Sequence, residues 1–212
     1  MTLDLPGVYA AAVARVAELA EGVDERTARR GVPATPAWTV HDLLAHVAGA
    51  ANDAVVGRMD GAPGRGWTNR QVVERRTASV GELADELREF GARMPVDTFD
   101  PAEPSPAWDL LVHEADLREA LDLPRADPLT WELLLPGVVA QLGSRPSVSG
   151  FEVRTADSTW QVGVPSGVVT VAADDYELLR ILFSRRSTEQ IARVSDGVGL
   201  LESVAMFGPR AA

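Results

Sequence analysis

The strongest constraint in this chain is the spacing of its apolar residues. Over residues 4–22, Val8, Ala12, Val16, Leu19 and Val23 recur at steps of three and four, which gathers them on one side of a helix. The same spacing returns three times. In "TVHDLLAHVAGAANDAV" (39–55) the stripe is Val40, Leu43, Leu44, Val47, Ala51 and Val55, with Thr39 as N-cap and Asp42 completing a variant capping box. Over 68–94 it is Val73, Val80, Leu83, Leu87, Phe90 and Met94, ended by the proline-rich "PVDTFDPAEPSP". In "WDLLVHEADLREA" (108–120) it is Leu110 and Leu117, continued by Leu121. Four such stripes in succession must be buried against one another, and a helical bundle does this.

The segments between them read as connections: "DERTARRGVPATPAW" carries two prolines and a glycine, and "GRMDGAPGRG" is glycine-rich. After a fifth helix within "DPLTWELLLPGVVAQLGSRP" the texture changes. "FEVRTADSTWQVGV" and "GVVTVAAD" alternate β-branched and polar residues, which predicts about three short antiparallel strands from 150 to 173. "DDYELLRILFSRR" and "GVGLLESVAMF" return to helix. The expectation is a mostly α protein: a helical bundle over 1–145 and a small α+β domain with a short antiparallel sheet over 146–212.

Composition then removes whole classes of function. The 212 residues suffice for a sizeable core. The formal charge of −11 has the wrong sign for gathering phosphates, so nucleic acid is not an expected partner. No apolar run reaches the roughly 20 residues that cross a bilayer, and the N-terminal helix carries acids in place of a basic leader, so the expected location is cytoplasmic, away from the membrane. Cysteine is absent, which excludes disulfides, thiolate metal ligands and a cysteine nucleophile. Any thiol chemistry must use a thiol brought from outside.

The chain has three histidines. Asp109 and His113 lie four apart in the fourth helix, about 40° from each other on one face, and a carboxylate and an imidazole so placed can share a cation. A third ligand would come from the second helix, where His41 and His46 are separated by about 140° of rotation and cannot point the same way. His46 flanks Leu43 and Val47 in mid-helix and is the candidate ligand. His41, among the capping residues, is expected to be exposed. The plain alternative is a hydrogen-bonded core histidine and a surface Asp/His pair, and spacing alone leaves both open.

Other templates fail. "HEADL" (113–117) starts like the zinc-protease pattern but has Leu117 where its second histidine belongs. "GAPGRG" (61–66) lacks the lysine ending of a phosphate loop, and no G-x-S-x-G occurs.

Taken together, "TPAWTVHDLLAHVAG", "WDLLVHEADLREAL" and "STWQVGV" followed by "ADDYELLRILFSRRS" resemble the mycothiol-dependent maleylpyruvate isomerase family, within the DinB-like four-helix bundle superfamily. The resemblance covers nearly the whole chain. It implies a divalent metal, zinc, held by His46, Asp109 and His113, and mycothiol as the thiol cosubstrate. Asp116 matches a recurrent family position and is implied to support the ligands without binding metal. Members commonly carry glutamate where Asp109 stands, and glycine before a functional arginine where Ser184 precedes Arg185. Arg185 is thus implied as the catalytic residue, pairing with a carboxylate of substrate or thiol; a solvated arginine at a helix end is the alternative.

The reaction so implied is addition of the metal-activated thiol to a small electrophile, as isomerase or S-transferase. Two further readings use the same residues: a bundle that binds a metal or small ligand without catalysis, for sensing or resistance, and a non-haem iron oxygenase with two histidines and one carboxylate. Trp38, Trp67 and Trp108 either line the site or pack.

Overall fold

A computed structural model describes residues 4–99, 105–146 and 148–210, and the chain divides into two compact units between Ala126 and Asp127. The first unit holds α1 (Leu5–Glu21), α2 (Glu25–Ala28), β1 (Gly31–Val32), β2 (Thr35–Thr39), α3 (Val40–Val56), α4 (Arg65–Glu74), α5 (Val80–Gly91), a 3₁₀ turn (Val96–Thr98) and α6 (Pro106–Ala120). Four of these close a ring in which α1 packs on α5 and α6, and α3 packs on the same two. This is the expected four-helix bundle. Its core is filled by the stripes: Ala12 and Val16 of α1, Leu43, Leu44 and Val47 of α3, Leu83 and Leu87 of α5, and Leu110 and Leu117 of α6.

Helix starts follow the local chemistry. Thr39 accepts from the Asp42 backbone N–H while Asp42 bonds back to Thr39, so the capping box of α3 is present as expected. α6 begins at Pro106, whose missing N–H is harmless in a first turn. Inside the bundle Glu114, almost fully buried, accepts a bidentate pair from Arg15 at 2.7–3.2 Å and a bond from Arg118 at 3.1 Å, tying α6 to α1. The acid of the incomplete zinc-protease pattern is thus a structural ion pair.

Three local expectations need correction. The single helix over 68–94 is two, α4 and α5, because Ser79 and Glu82 form a second capping box that starts a new helix. Val73 therefore faces solvent at 57% exposure and does not join the core. The connection after α1 is partly ordered: α2 and the antiparallel pair β1–β2 occupy it.

The second unit contains α7 (Pro128–Trp131), α8 (Leu135–Gly143), β3 (Phe151–Arg154), β4 (Thr159–Val162), β5 (Val168–Thr170), α9 (Asp175–Leu182), α10 (Thr188–Ala192) and α11 (Val198–Val204). The division precedes the boundary near 145 suggested by texture, since α8 buries Leu135, Val138 and Leu142 and packs on β4 and α9. The sheet is also mixed. Its order is β4-β3-β5, with β3 and β4 antiparallel as expected but β3 and β5 parallel. The cause is the link after β4, which crosses the start of β3 and places β5 on its far side. Gly150 permits this crossing: a Cβ there would meet the Val164 backbone oxygen at 2.1 Å, and Ser166 N–H donates to the Gly150 carbonyl.

No helix among the described residues is long and apolar enough to cross a membrane.

Candidate metal centre

His46 lies in the middle of α3, Asp109 in the first turn of α6, and His113 one turn further along α6. The bundle sets these two helices side by side. His46 Nε2 is 3.4 Å from Asp109 Oδ2, and His113 Nε2 is 3.6 Å from Asp109 Oδ1. One ligand atom from each residue lies within 4.8 Å of the other two. Ligands about 2.0–2.2 Å from a tetrahedral zinc are about 3.4 Å apart, which the two histidine–carboxylate separations match, each through its own Asp109 oxygen.

Polar side chains stand behind both histidines, and for His46 a hydrogen bond fixes which atom faces inward. Asp53, fully buried, can only accept; it takes one bond from Arg70 Nη2 and one from Gln71 Nε2, each at 3.0 Å. Gln71 therefore turns its carbonyl to His46, and Nδ1–H of His46 donates to it at 2.7 Å. A neutral His46 in that tautomer presents the Nε2 lone pair toward Asp109. On the other side Asp116, fully buried, holds an oxygen 2.9 Å from His113 Nδ1. Both rings are thus oriented from behind, as metal-binding histidines are. Two imidazole nitrogens and a carboxylate converge here in a largely buried place, a donor set that can hold a cation.

Aromatic rings enclose the pair. The histidine rings lie 4.8 Å apart at 80°, Trp38 of β2 is 5.1 Å from His46 and 5.7 Å from His113, and Trp67 of α4 is edge-on to His46 at 5.9 Å. Trp38 and Trp67 therefore flank the cluster, while Trp108 is buried within the bundle. The open side belongs to Asp109, whose side chain is 37% exposed. A small pocket adjoins it, lined by Tyr9, Val47, Ala51, Pro106 and Leu110. Burial, and then the charge of Asp109, push the Tyr9 phenol well above its ordinary range, so it is a neutral donor at any working pH.

His41 is not exposed as expected. It is half-buried, and its Nε2 donates to the Ala78 carbonyl at 2.8 Å, fastening the start of α3 to the α4–α5 turn. The choice of His46 over His41 as the residue facing Asp109 agrees with the geometry.

Arg185 lies in the second unit and is buried there at 8% exposure. Its backbone N–H donates to the Arg180 carbonyl, Nη1 donates to the Phe183 carbonyl at 2.7 Å, and the guanidinium lies 6.0 Å from the Phe207 ring centre. The solvated alternative does not hold. Ser184 before it has φ of 60°, a left-handed conformation that favours glycine, and its hydroxyl accepts from Phe207 N–H. The backbone at 184 is therefore one that the family's glycine would adopt readily.

Sequence reasoning missed Gln71, Asp53 and Tyr9. Tyr9 sits on the buried face of α1 but outside the stripe of Val8, Ala12, Val16, Leu19 and Val23 that the spacing picks out. Gln71 and Asp53 are single polar residues on separate helices, and only a folded bundle joins them.

The model for the mycothiol maleylpyruvate isomerase N-terminal domain matches residues 9–121, which contain the whole cluster. Two solved structures are similar: mycothiol-dependent maleylpyruvate isomerase, with a TM-score of 0.58, and a histidine-to-alanine mutant of it, with 0.57. Each is 15% identical, over 88% of this chain and 93% of that one. No curated protein matches in sequence. Likeness at that identity establishes the fold, and it includes the bundle built above. With the family model covering more than half of its length, the chain belongs to the mycothiol maleylpyruvate isomerase N-terminal domain family.

Proposed function

We propose that this protein is a zinc enzyme that activates mycothiol for addition to a small electrophile, acting on maleylpyruvate or a close relative. The observation that carries the reading is the convergence of His46 Nε2 and His113 Nε2 on the Asp109 carboxylate, with Gln71 and Asp116 behind the two rings. His46, Asp109 and His113 would hold a divalent ion, which would supply a positive charge favouring the thiolate form of a nearby thiol.

The chain's own residues do the rest. Gln71 keeps His46 in the tautomer that offers Nε2, and the Asp116 carboxylate backs the His113 ring. Trp38 and Trp67 keep water from the histidine side, which strengthens electrostatic interactions within the site. Arg185 is proposed to pair with a carboxylate of the substrate or thiol. Isomerisation and conjugation differ only in whether the carbon–sulfur bond made in the addition breaks again, and membership of the isomerase family favours breakage. The absence of cysteine from the chain agrees with an external nucleophile.

The test is elemental analysis of untagged protein, followed by mycothiol-dependent turnover of maleylpyruvate and consumption of mycothiol with a panel of electrophiles. Near-stoichiometric zinc, lost in His113→Ala, with thiol-dependent turnover lost alongside it, is expected. Protein that takes up no zinc overturns the reading, as does zinc protein that turns over no thiol substrate. Oxygen uptake after anaerobic reconstitution with iron replaces it with the oxygenase reading.

A further inference from the structure

The pocket beside Asp109 is apolar on most of its wall: Val47 and Ala51 come from α3, Pro106 and Leu110 from α6. Its polar lining is the Asp109 carboxylate and the Tyr9 side chain. Tyr9 is only 3% exposed, and among the described residues its hydroxyl has no hydrogen-bond partner. Phe99 holds the ring in a tilted contact, with centroids 5.4 Å apart. A buried phenol without a partner in a core is costly, and one that faces a pocket is accounted for by a ligand that accepts from it.

We propose that Tyr9 is a specificity-determining residue that donates a hydrogen bond to the keto oxygen of a small α-keto acid seated in this pocket, next to the metal ligands. This rests on the proposed function and names the part of the electrophile that the pocket selects. The chemistry of the wall chooses the acceptor. A neutral phenol donates to either a carbonyl or a carboxylate oxygen, but a carboxylate here would face the negative Asp109, whereas an uncharged carbonyl does not. The apolar wall formed by Val47, Ala51 and Leu110 likewise suits the uncharged end of such a substrate and leaves its carboxylate outside. Tyr9 thereby aligns the carbonyl that polarises the electrophile, on the open side of the cluster from which a thiol must approach.

The chain has two tyrosines, so protein labelled with ¹³C at the tyrosine ζ carbon gives two resonances, and Tyr9→Phe assigns the one it removes. Titration of the zinc-loaded wild-type protein with pyruvate, the smallest α-keto acid, is expected to move the Tyr9 resonance and leave that of Tyr176 in place. Acetate, which has a carboxylate but no keto group, is expected to move neither. In turnover assays Tyr9→Phe raises KM for the keto-acid substrate about three- to tenfold, with kcat within about twofold. A change in stability alone would not produce that split. A Tyr9 resonance that stays in place throughout the pyruvate titration overturns the inference, as does one that acetate moves equally, or a Tyr9→Phe enzyme with unchanged KM. If the wild-type protein consumes no thiol, the proposed function fails, while the pyruvate titration still decides the pocket on its own.

Discussion

Gly49 of α3 lies directly against Gln71 of α4: a Cβ added at 49 would stand 2.6 Å from Gln71 Cβ and 2.8 Å from Arg75 Nη1. The close approach lets α4 carry Gln71 to His46. Gly49→Ala must therefore push α4 outward, since the obstacle includes the base of the Gln71 side chain. Overpacking of this kind costs about 1–3 kcal/mol. The sharper expectation is at the metal, because a displaced Gln71 no longer orients His46: zinc affinity falls about 10- to 100-fold. Chelator competition and thermal unfolding, run side by side on the variant, check both.

Asp116 makes the matching prediction on α6. Its carboxylate sits 2.9 Å from His113 Nδ1 and is fully buried, so it places a negative charge behind the ring, on the side away from Asp109. Asp116→Asn keeps the shape and removes the charge. Zinc affinity is expected to drop about 10- to 100-fold with the fold intact, measured by chelator competition and circular dichroism. Unchanged affinity would show that Asp116 serves the helix and not the metal.

His41 offers the control. It bonds to Ala78 across to the α4–α5 turn and belongs to the bundle's scaffold. His41→Ala is expected to lower stability by about 1 kcal/mol and leave zinc stoichiometry unchanged, whereas His46→Ala abolishes zinc binding. Denaturant melts and elemental analysis on the two variants separate scaffold from site.

The contrast between these histidines also marks what the sequence made legible. Rotation about a helix axis separates His41 from His46 and pairs Asp109 with His113, which brings these three residues forward as candidates; spacing leaves the plain reading open, and the family resemblance implies the metal. The break between α4 and α5 was accessible too, since Ser79 and Glu82 spell a capping box, but the apolar stripe running past it masked the signal. The support of His46 was not, because Gln71 and Asp53 have no local pattern and meet only through the approach that Gly49 allows. The direction of β5 was equally hidden: alternation marks a strand, and the path of the link at Gly150 decides its neighbour.

Acid sensitivity follows from Glu86. Burial raises its pKa, but hydrogen bonds from Arg75 and Asn52, together with the charge of Arg75, outweigh that and leave it below the ordinary value. A depressed carboxylate pKa stabilises the fold above the unfolded value, near 4.3, and that contribution disappears as pH falls through the folded one. Wild-type stability is therefore expected to decline below about pH 4.3, and Glu86→Gln to be less stable near neutrality by about 2 kcal/mol, with the difference from wild type shrinking in acid. Urea melts from pH 7 down to 3 check the sign. A gap that stays constant across that range would assign the loss to packing and not to the ion pair.

The last prediction concerns the length of the acidic ligand. The family resemblance places glutamate where Asp109 stands, which raises the question of whether a shorter side chain reaches the ion. The geometry answers through distances: one Asp109 oxygen is 3.4 Å from His46 Nε2 and the other 3.6 Å from His113 Nε2, so aspartate already spans both histidines. Its first-turn position on α6, beside α3, supplies the reach that a methylene would otherwise give. Asp109→Glu is then expected to bind zinc no more tightly than the wild type, because the added methylene must fold into the pocket beside Val47 and Leu110. Asp109→Asn, of equal length but neutral, is expected to lose most of its affinity, since the negative charge is what this residue contributes to the donor set. Zinc affinities by chelator competition for the three proteins order as wild type at or above glutamate, with asparagine far below. A glutamate variant that binds tenfold more tightly would show that the native carboxylate sits short of the ion.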